Sequence, residues 1–488
     1  MIKELEYSNR QILPRWVPFS QIYVLNPKIN FMGENSNLEK ENFKKLENTW
    51  NTTKTVPLAV EIITSSHILD IADTITYKEA LDWLINNHCE EISNNTYLKN
   101  LLGNNEQNVR TPQKNIHSLR QMSFINPADD ITWVDLAFFY AIQGQQNKAE
   151  KCIENCLSLR PNNIFSIKAI LKYLLLSKDI DKALWLINSN DNIKSNPQII
   201  STEIAICETY GIKSKLLRKG YSITKDLQLR KFFENELFAT MATMEFNSGN
   251  MKKGQKLFSQ SLLFPNENIL AQTRYISTKF NKNIDSKIPN IPCTYERDSW
   301  ISYNEGKFEN VLKNTTDWFY FQPFSTTPIL MNSYINSLIY NKEKEAIEMV
   351  RKALKIVPNN FSLLNNEVVS LFRLNETEKG NLKLSQLEKC KIESKNDATV
   401  LLATKGLADF RNGKIAEGTK KYRQAIEYFK INNNFEAYSR ALYYFSYELK
   451  NIKDPVFLEY IAESKKMADQ YSYKDIQVAI AKNFKEDI

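Results

Sequence analysis

Apolar residues recur at three- and four-residue steps in paired runs along most of the chain, and each run predicts one face of an amphipathic helix. The clearest pair lies between Asp130 and Asn163. Gly144 separates its two runs, and Pro161 ends the second because proline cannot continue a helix. The apolar stripes are Trp133, Leu136, Ala137 and Tyr140 in the first run and Ala149, Ile153, Cys156 and Leu157 in the second. This spacing predicts a helical hairpin.

The hairpin resembles one unit of the tetratricopeptide repeat. Its first stripe stands at the offsets of the W-x2-L-G-x2-Y signature, Ala149 and Ile153 replace A-x3-F, and Pro161 closes a unit of 34 residues. One hairpin cannot bury its apolar face alone, so neighbouring hairpins must stack on it. The predicted fold class is therefore all-α, an α-solenoid with a right-handed superhelix of tetratricopeptide-type hairpins.

The same spacing recurs elsewhere and sets the domain organisation. Further units begin at Ile164, Asn235, Thr327, Phe361 and Thr399, which suggests roughly eight to ten hairpins in all. We expect four segments, namely an extended N-terminal arm or cap (1–55), a divergent helical hairpin with a polar linker (56–115), an N-terminal array (116–290) and a C-terminal array with capping helices (291–488). The charged tail suits a terminal helix whose outer face meets water.

The segment from Ile12 to Phe19 contains two prolines and two aromatic residues, which favours an extended arm over a helix. We expect the arm to lay Trp16 and Phe19 onto the first helices as a cap for the exposed end of the array. An exposed arm that docks a partner is the alternative.

Two short runs resemble a group of bacterial tetratricopeptide proteins. One is Phe321–Ser325, an aromatic residue followed by Q-P-F-S, and the other is the T-x-G-L-x-x-F-R-x-G run from Thr404 to Gly413. The resemblance extends over about residues 115 to 450 and implies the fold alone.

Composition and charge narrow the class of protein. The net charge of +8 comes from 64 basic and 56 acidic residues interspersed along the chain, without the basic stripe of a nucleic-acid binder, so nucleic acid is not expected as a direct ligand. The sequence contains no run of 18 apolar residues and no signal-peptide pattern, which predicts a cytoplasmic protein without a membrane partner. Six cysteines without a C-x-x-C pair favour buried thiols.

No catalytic residue, metal ligand or cofactor site is predicted. The three histidines, His67, His88 and His117, belong neither to H-E-x-x-H nor to a zinc spacing. The glycine-rich run from Gly249 to Lys256 lacks the Lys and Ser or Thr that must follow the second glycine of a phosphate loop. We therefore do not expect an enzyme.

A groove is the expected functional surface, because the first helix of each repeat lines the concave face in tetratricopeptide proteins. Asparagine amides on these helices could pair with the main chain of an extended peptide, while Arg373 and Arg411 could hold a carboxylate. The alternative is that the asparagines only reflect an asparagine-rich composition. The predicted partner-binding residues are Asn332, Asn365, Asn366, Phe372, Arg373, Phe410 and Arg411.

Two functions follow from such a groove. The first is a non-catalytic scaffold or adaptor that binds a protein partner or peptide, for example as a subunit of a bacterial defence or regulatory complex. The alternative is a peptide-sensing regulator whose superhelical pitch changes when its ligand binds. A homo-oligomer is compatible with the sequence.

Overall fold

The computed structural model describes residues 10–18, 36–68, 74–88, 112–225, 231–282, 291 and 293–485. Within these ranges the chain forms twenty-four α-helices and no β-strand. The helices are α1 Ser36–Thr52, α2 Val56–Ile68, α3 Ile75–Asn87, α4 Pro112–Ile125, α5 Asp130–Ile142, α6 Gln146–Leu159, α7 Ile164–Leu176, α8 Ile180–Asn188, α9 Pro197–Tyr210, α10 Leu217–Ile223, α11 Lys231–Asn247, α12 Met251–Ser261, α13 Glu267–Lys279, α14 Tyr295–Glu305, α15 Phe308–Phe321, α16 Thr327–Leu338, α17 Glu343–Leu354, α18 Phe361–Arg373, α19 Thr377–Leu387, α20 Lys395–Arg411, α21 Ile415–Ile431, α22 Phe435–Asn451, α23 Phe457–Tyr471 and α24 Lys474–Asn483.

The helices are distributed over two compact units. The first unit comprises Arg10–Ala141 and Gln145–Thr294, and the second comprises Ile142–Gly144 and Tyr295 onward. Each unit is an α-solenoid of stacked helical hairpins, which confirms the predicted all-α class. We call the surface formed by the first helices of the hairpins, on the side away from the second helices, the inner face of a unit.

In the first unit, helices α7, α9, α11 and α13 pack against one another in that order and carry the inner face. Helices α1, α2 and α3 form a separate small core around the fully buried Trp50. Helix α1 corrects one expectation, because residues 36–52 were assigned to an extended arm and are helical. Within 1–35 the structure describes only residues 10–18, which form neither helix nor strand. Phe19 and the polar linker from 89 to 111 lie outside the described residues.

Asparagines explain where many helices begin and why the hairpins turn. Asn163, Asn196 and Asn360 stand immediately before α7, α9 and α18, and each side chain accepts a hydrogen bond from a main-chain N–H of the first turn. Asn341 and Asn375 adopt positive φ in the turns inside two hairpins, a conformation that asparagine tolerates better than most residues. Much of the asparagine content therefore has a structural role.

In the second unit, helices α16, α18, α20 and α22 pack in series along the inner face. The last helix, α24, packs against α14, α16 and α22, all of which are first helices. Ile476 and Ala479 of α24 are fully buried. Helix α24 therefore covers part of the inner face with one side, while Lys474, Val478 and Lys482 on the same helix are exposed.

Three hairpins share one packing device, in which a phenylalanine of the first helix lies eight residues before a glycine of the second. A Cβ atom placed on the glycine would come within 2.6 to 2.7 Å of the phenylalanine ring, closer than packed carbon atoms approach. The glycine therefore makes room for the ring and lets the two helices approach. The pairs are Phe246 with Gly254, Phe372 with Gly380, and Phe410 with Gly418.

We predict that Gly380→Ala lowers the free energy of unfolding by about 1 kcal/mol, because overpacking costs about 1–3 kcal/mol while alanine favours a helix by only about 1 kcal/mol. In a Phe372→Leu background the same substitution should instead be neutral or stabilising, since the ring is gone. Urea unfolding of the four chains of this double-mutant cycle measures the coupling. The exposed Ser385→Ala on the same helix is the control, and absence of coupling would contradict the packing account.

Candidate functional site

A cavity lies on the inner face of the second unit, between helices α16, α18, α20 and α22, with α21 closing one side. Its volume is about 120 Å³. Most of its wall is apolar because first helices present aliphatic and aromatic side chains to one another here. The apolar wall includes Leu330, Val369, Val400, Ala403, Leu407 and Phe429.

Polar side chains interrupt this wall at defined places. Thr404 Oγ1 donates to Asn365 Oδ1 at 2.7 Å, and Asn366 Nδ2 donates to Ser333 Oγ at 2.9 Å. Each bond links neighbouring inner helices, α20 to α18 and α18 to α16. The bonds position the two amides at the cavity wall, where an amide can both donate and accept.

Arg440 of α22 also lines the cavity and is the centre of a buried polar network. Its guanidinium lies 3.0 Å from Asp475 Oδ2 and 2.5 Å from Glu436 Oε1, and Nε donates to Tyr334 Oη at 2.7 Å. The same Asp475 oxygen accepts hydrogen bonds from Tyr334 at 2.7 Å and from Tyr303 at 2.9 Å. Four helices, α14, α16, α22 and α24, are thereby joined.

The ionisation of this network follows from its partners. Burial acts to raise the pKa of Asp475, but Arg440 and the hydrogen bonds from both tyrosines outweigh burial and hold that pKa below its ordinary value. Burial, reinforced by the nearby Asp475 carboxylate, raises the pKa of Tyr303 well above its ordinary value. At neutral pH the tyrosines are neutral donors, the carboxylate is ionised and Arg440 is charged.

Two polar atoms at the cavity have no hydrogen-bond partner among the residues that the structure describes. They are Nη1 of Arg440 and Oγ of Ser337, and both are buried. Leaving a buried donor unpaired costs about 1–3 kcal/mol. The cavity therefore offers unused hydrogen-bonding capacity beside an apolar surface.

The two arginines that were predicted to hold a carboxylate, Arg373 and Arg411, are already paired. Arg373 Nε lies 2.6 Å from Glu343 Oε1 in a buried ion pair, and its guanidinium stacks over the Tyr447 ring at 4.7 Å. Arg411 Nη2 lies 2.7 Å from Glu448 Oε1. Since each positive charge faces a glutamate, neither arginine is positioned to hold a partner's carboxylate.

The predicted binding residues thus fall into two groups. Asn365 and Asn366 lie at the cavity. Asn332 is buried elsewhere and donates to Leu312 O and Thr315 Oγ1 of the preceding hairpin. Phe372 and Phe410 point into their own hairpins toward Gly380 and Gly418, which corrects their assignment to an open groove.

Comparison with known proteins supports part of this picture. Residues 132–163 match the family model of the tetratricopeptide repeat. This stretch is a tetratricopeptide repeat. No curated protein matches the chain in sequence.

Two solved structures are similar over most of their length. The crystal structure of the APC/C hetero-tetramer Cut9-Hcn1 is 10% identical with a TM-score of 0.33, and the match covers 95% of this chain and 98% of that chain. The P58(IPK) TPR domain is 11% identical with a TM-score of 0.24, and the match covers 76% and 98% of the two chains. At these scores neither structure carries an inference about function.

The spacing of the tetratricopeptide pattern does not identify Arg440, Asp475 or Ser337. A signal was present, because Arg440 precedes Tyr443 and Tyr444 at the three- and four-residue spacing of a buried stripe. A charged residue inside such a stripe needs a buried partner. The partner itself, Asp475, could not be found from spacing because it belongs to a different helix.

Other candidate chemistry has structural explanations. Burial raises the pKa of Cys152 and Cys156 to about 11, so both remain thiols at neutral pH. Gly249 has φ of +81° in an inter-helix turn, and Gly254 makes room for Phe246. The described residues contain no cluster of three or more His, Cys, Asp or Glu that could hold a metal ion. None of the described helices is both long and apolar enough to span a bilayer.

We predict that Asp475→Asn lowers the free energy of unfolding at pH 7 by on the order of 3 kcal/mol, because Arg440 loses a buried counter-charge. The folded-state pKa of Asp475 is lowered, so its stabilising effect is present above its ordinary pKa and is lost as pH falls through the lowered value. The difference between wild type and variant should therefore persist from pH 7 to about 4 and shrink below that pH.

Urea unfolding at several pH values measures this difference. Asp469→Asn on the exposed end of α23 is the matched control and should change stability by less than about 0.5 kcal/mol. A gap between wild type and Asp475→Asn that closes well above pH 5 would contradict the proposed ionisation.

Proposed function

We propose that this protein is a non-catalytic scaffold that binds an extended segment of a protein partner on the inner face of its second unit. The observation that carries the proposal is the cavity between α16, α18, α20 and α22, where apolar walls and unused hydrogen-bonding groups lie side by side. Stacked hairpins supply a preformed surface of this kind without a reaction centre.

The size of the cavity favours one side chain of a partner as its occupant. A volume of about 120 Å³ is well below the roughly 300–1,000 Å³ typical of small-molecule sites. An aliphatic or aromatic side chain would fill the apolar part and be desolvated on entry. Such an anchor in a small pocket is the usual centre of a protein interface.

The charges around Arg440 determine which ligand group can lie beside that anchoring side chain. The guanidinium of Arg440 already faces the Asp475 and Glu436 carboxylates, so a further carboxylate on the ligand would meet net negative charge. A neutral main-chain carbonyl is a better acceptor for Arg440 Nη1. Asn365 and Asn366 can pair with the main chain of the same segment.

The peptide-sensing alternative receives less support. A change of superhelical pitch in the second unit would separate helices that α24 joins through Asp475. Breaking a buried ion pair costs about 3–5 kcal/mol, which a short peptide would have to supply. The scaffold is therefore the preferred function.

We further propose that the scaffold acts in the cytoplasm within a multi-protein assembly, such as a bacterial defence or regulatory complex. Free, buried cysteines at 152, 156 and 207 support a reducing compartment. Cross-linking in cells of the source organism, followed by identification of peptides linked near Ala403, would test the assembly.

We predict that peptides selected from a display library on the immobilised full chain carry one large apolar residue within an extended, uncharged segment. Ala403→Leu should fill part of the cavity and weaken their binding at least about tenfold. The matched control is Ala416→Leu, an exposed alanine of α21, which should bind them as the wild type does. Enrichment of acidic peptides would contradict the proposal. So would binding of the selected peptides by Ala403→Leu with the affinity of the wild type.

A further inference from the structure

Residues 10–18 form neither helix nor strand and lie on the inner face of the first unit. The Trp16 ring is 2% exposed and packs edge-on against Phe138 of α5 at 5.4 Å and Tyr173 of α7 at 6.1 Å. At its other end the segment is bound by α13, more than 250 residues away in sequence. The segment therefore crosses the inner face and does more than cap the end of the array.

Two amide side chains of α13 bind the main chain of this segment. Gln272 Nε2 donates to the carbonyl of Arg10 at 2.8 Å, and Asn268 Nδ2 donates to the carbonyl of Leu13 at 3.1 Å. The oxygens of the same two amides accept hydrogen bonds from the Arg10 guanidinium at 2.5 and 2.8 Å. Each amide is buried, and each both donates and accepts a hydrogen bond.

Side chains of the segment provide a second level of recognition. Arg15 Nη1 lies 2.9 Å from Glu267 Oε1, one residue before Asn268. Trp16 fills the space between the two aromatic rings of α5 and α7. Arginine and tryptophan are the residues that most often dominate binding energy at interfaces.

The helices that hold the segment are α5, α7 and α13, of which α7 and α13 belong to the series along the inner face. Gln272 is in turn fixed by a hydrogen bond to Thr243 of α11 at 3.0 Å. Main-chain carbonyls bound by inner-face amides, with side chains in separate pockets, are the elements expected of a bound extended peptide.

We propose that the inner face of the first unit is a binding site for a peptide with the pattern Arg-x4-Arg-Trp, and that residues 10–18 are its ligand in cis. The site is distinct from the cavity of the second unit. While the segment is in place it closes the first unit to other ligands, so any competitor must displace it.

A permanent structural strut would make the same contacts, but the two accounts differ in one measurable respect. A ligand can bind from a separate molecule, whereas a strut cannot be exchanged. Attachment to the same chain raises the effective concentration of a ligand, to the order of 1 mM where the linker is short and flexible. If the free peptide has a Kd of about 10 μM, the tethered copy should weaken its binding to wild type by about 100-fold.

The experiment uses the full chain and a fluorescent peptide of residues 10–18, titrated by anisotropy. We expect micromolar binding to the variant Arg15→Ala/Trp16→Ala, whose own segment is weakened, and at least tenfold weaker binding to wild type. A peptide with alanine in place of Trp16 should not bind. Adding Asn268→Ala and Gln272→Ala to the variant should abolish binding of the unmodified peptide.

Equal binding to wild type and variant would overturn the proposal, because the site would not be filled in cis. No binding to a variant that still melts cooperatively would overturn it in favour of a strut. If the double variant fails to fold, Arg15→Ala alone replaces it, because that side chain is partly exposed. It should still bind the peptide more tightly than wild type does.

Discussion

The buried contact of Asp475 with Arg440, Tyr303 and Tyr334 is the interaction on which the second unit depends most. Stacking alone joins each hairpin only to its neighbours, so the ends of an array are free to move relative to one another. A carboxylate on the last helix that binds the first, middle and late inner helices removes this freedom. The same contact joins two of the four helices between which the cavity lies, α16 and α22.

In the first unit, a different kind of segment covers the inner helices. The nine residues 10–18 cover inner helices and are bound by Asn268 and Gln272. Each unit therefore has part of its inner face covered by a segment of the chain itself, residues 10–18 in one case and α24 in the other. The inner face of a solenoid carries polar and apolar groups that are stabilised when a segment covers them. Segments of the same chain therefore compete with partners for this face.

The hairpins were predictable because their signal is local. Leu364, Val368 and Leu371 are three or four residues apart, and this spacing alone places them on one buried face of α18. Asn365 and Asn366 were predicted for the inner face by the same register and lie at the cavity. Phe372 was misplaced because Gly380, eight residues later, offers its ring a space that helical periodicity does not encode.

The sequence by itself determined the helical class, the repeat at 132–163 and the register of most hairpins, since these depend on spacings of three, four and 34 residues. Only the tertiary structure decided which segments cover the inner faces and which arginine lines the cavity. Arg10 and Gln272 are 262 residues apart, and Tyr303 and Asp475 are 172 apart. Contacts over such separations follow from the accumulated geometry of many stacked hairpins, to which no local spacing of residues corresponds.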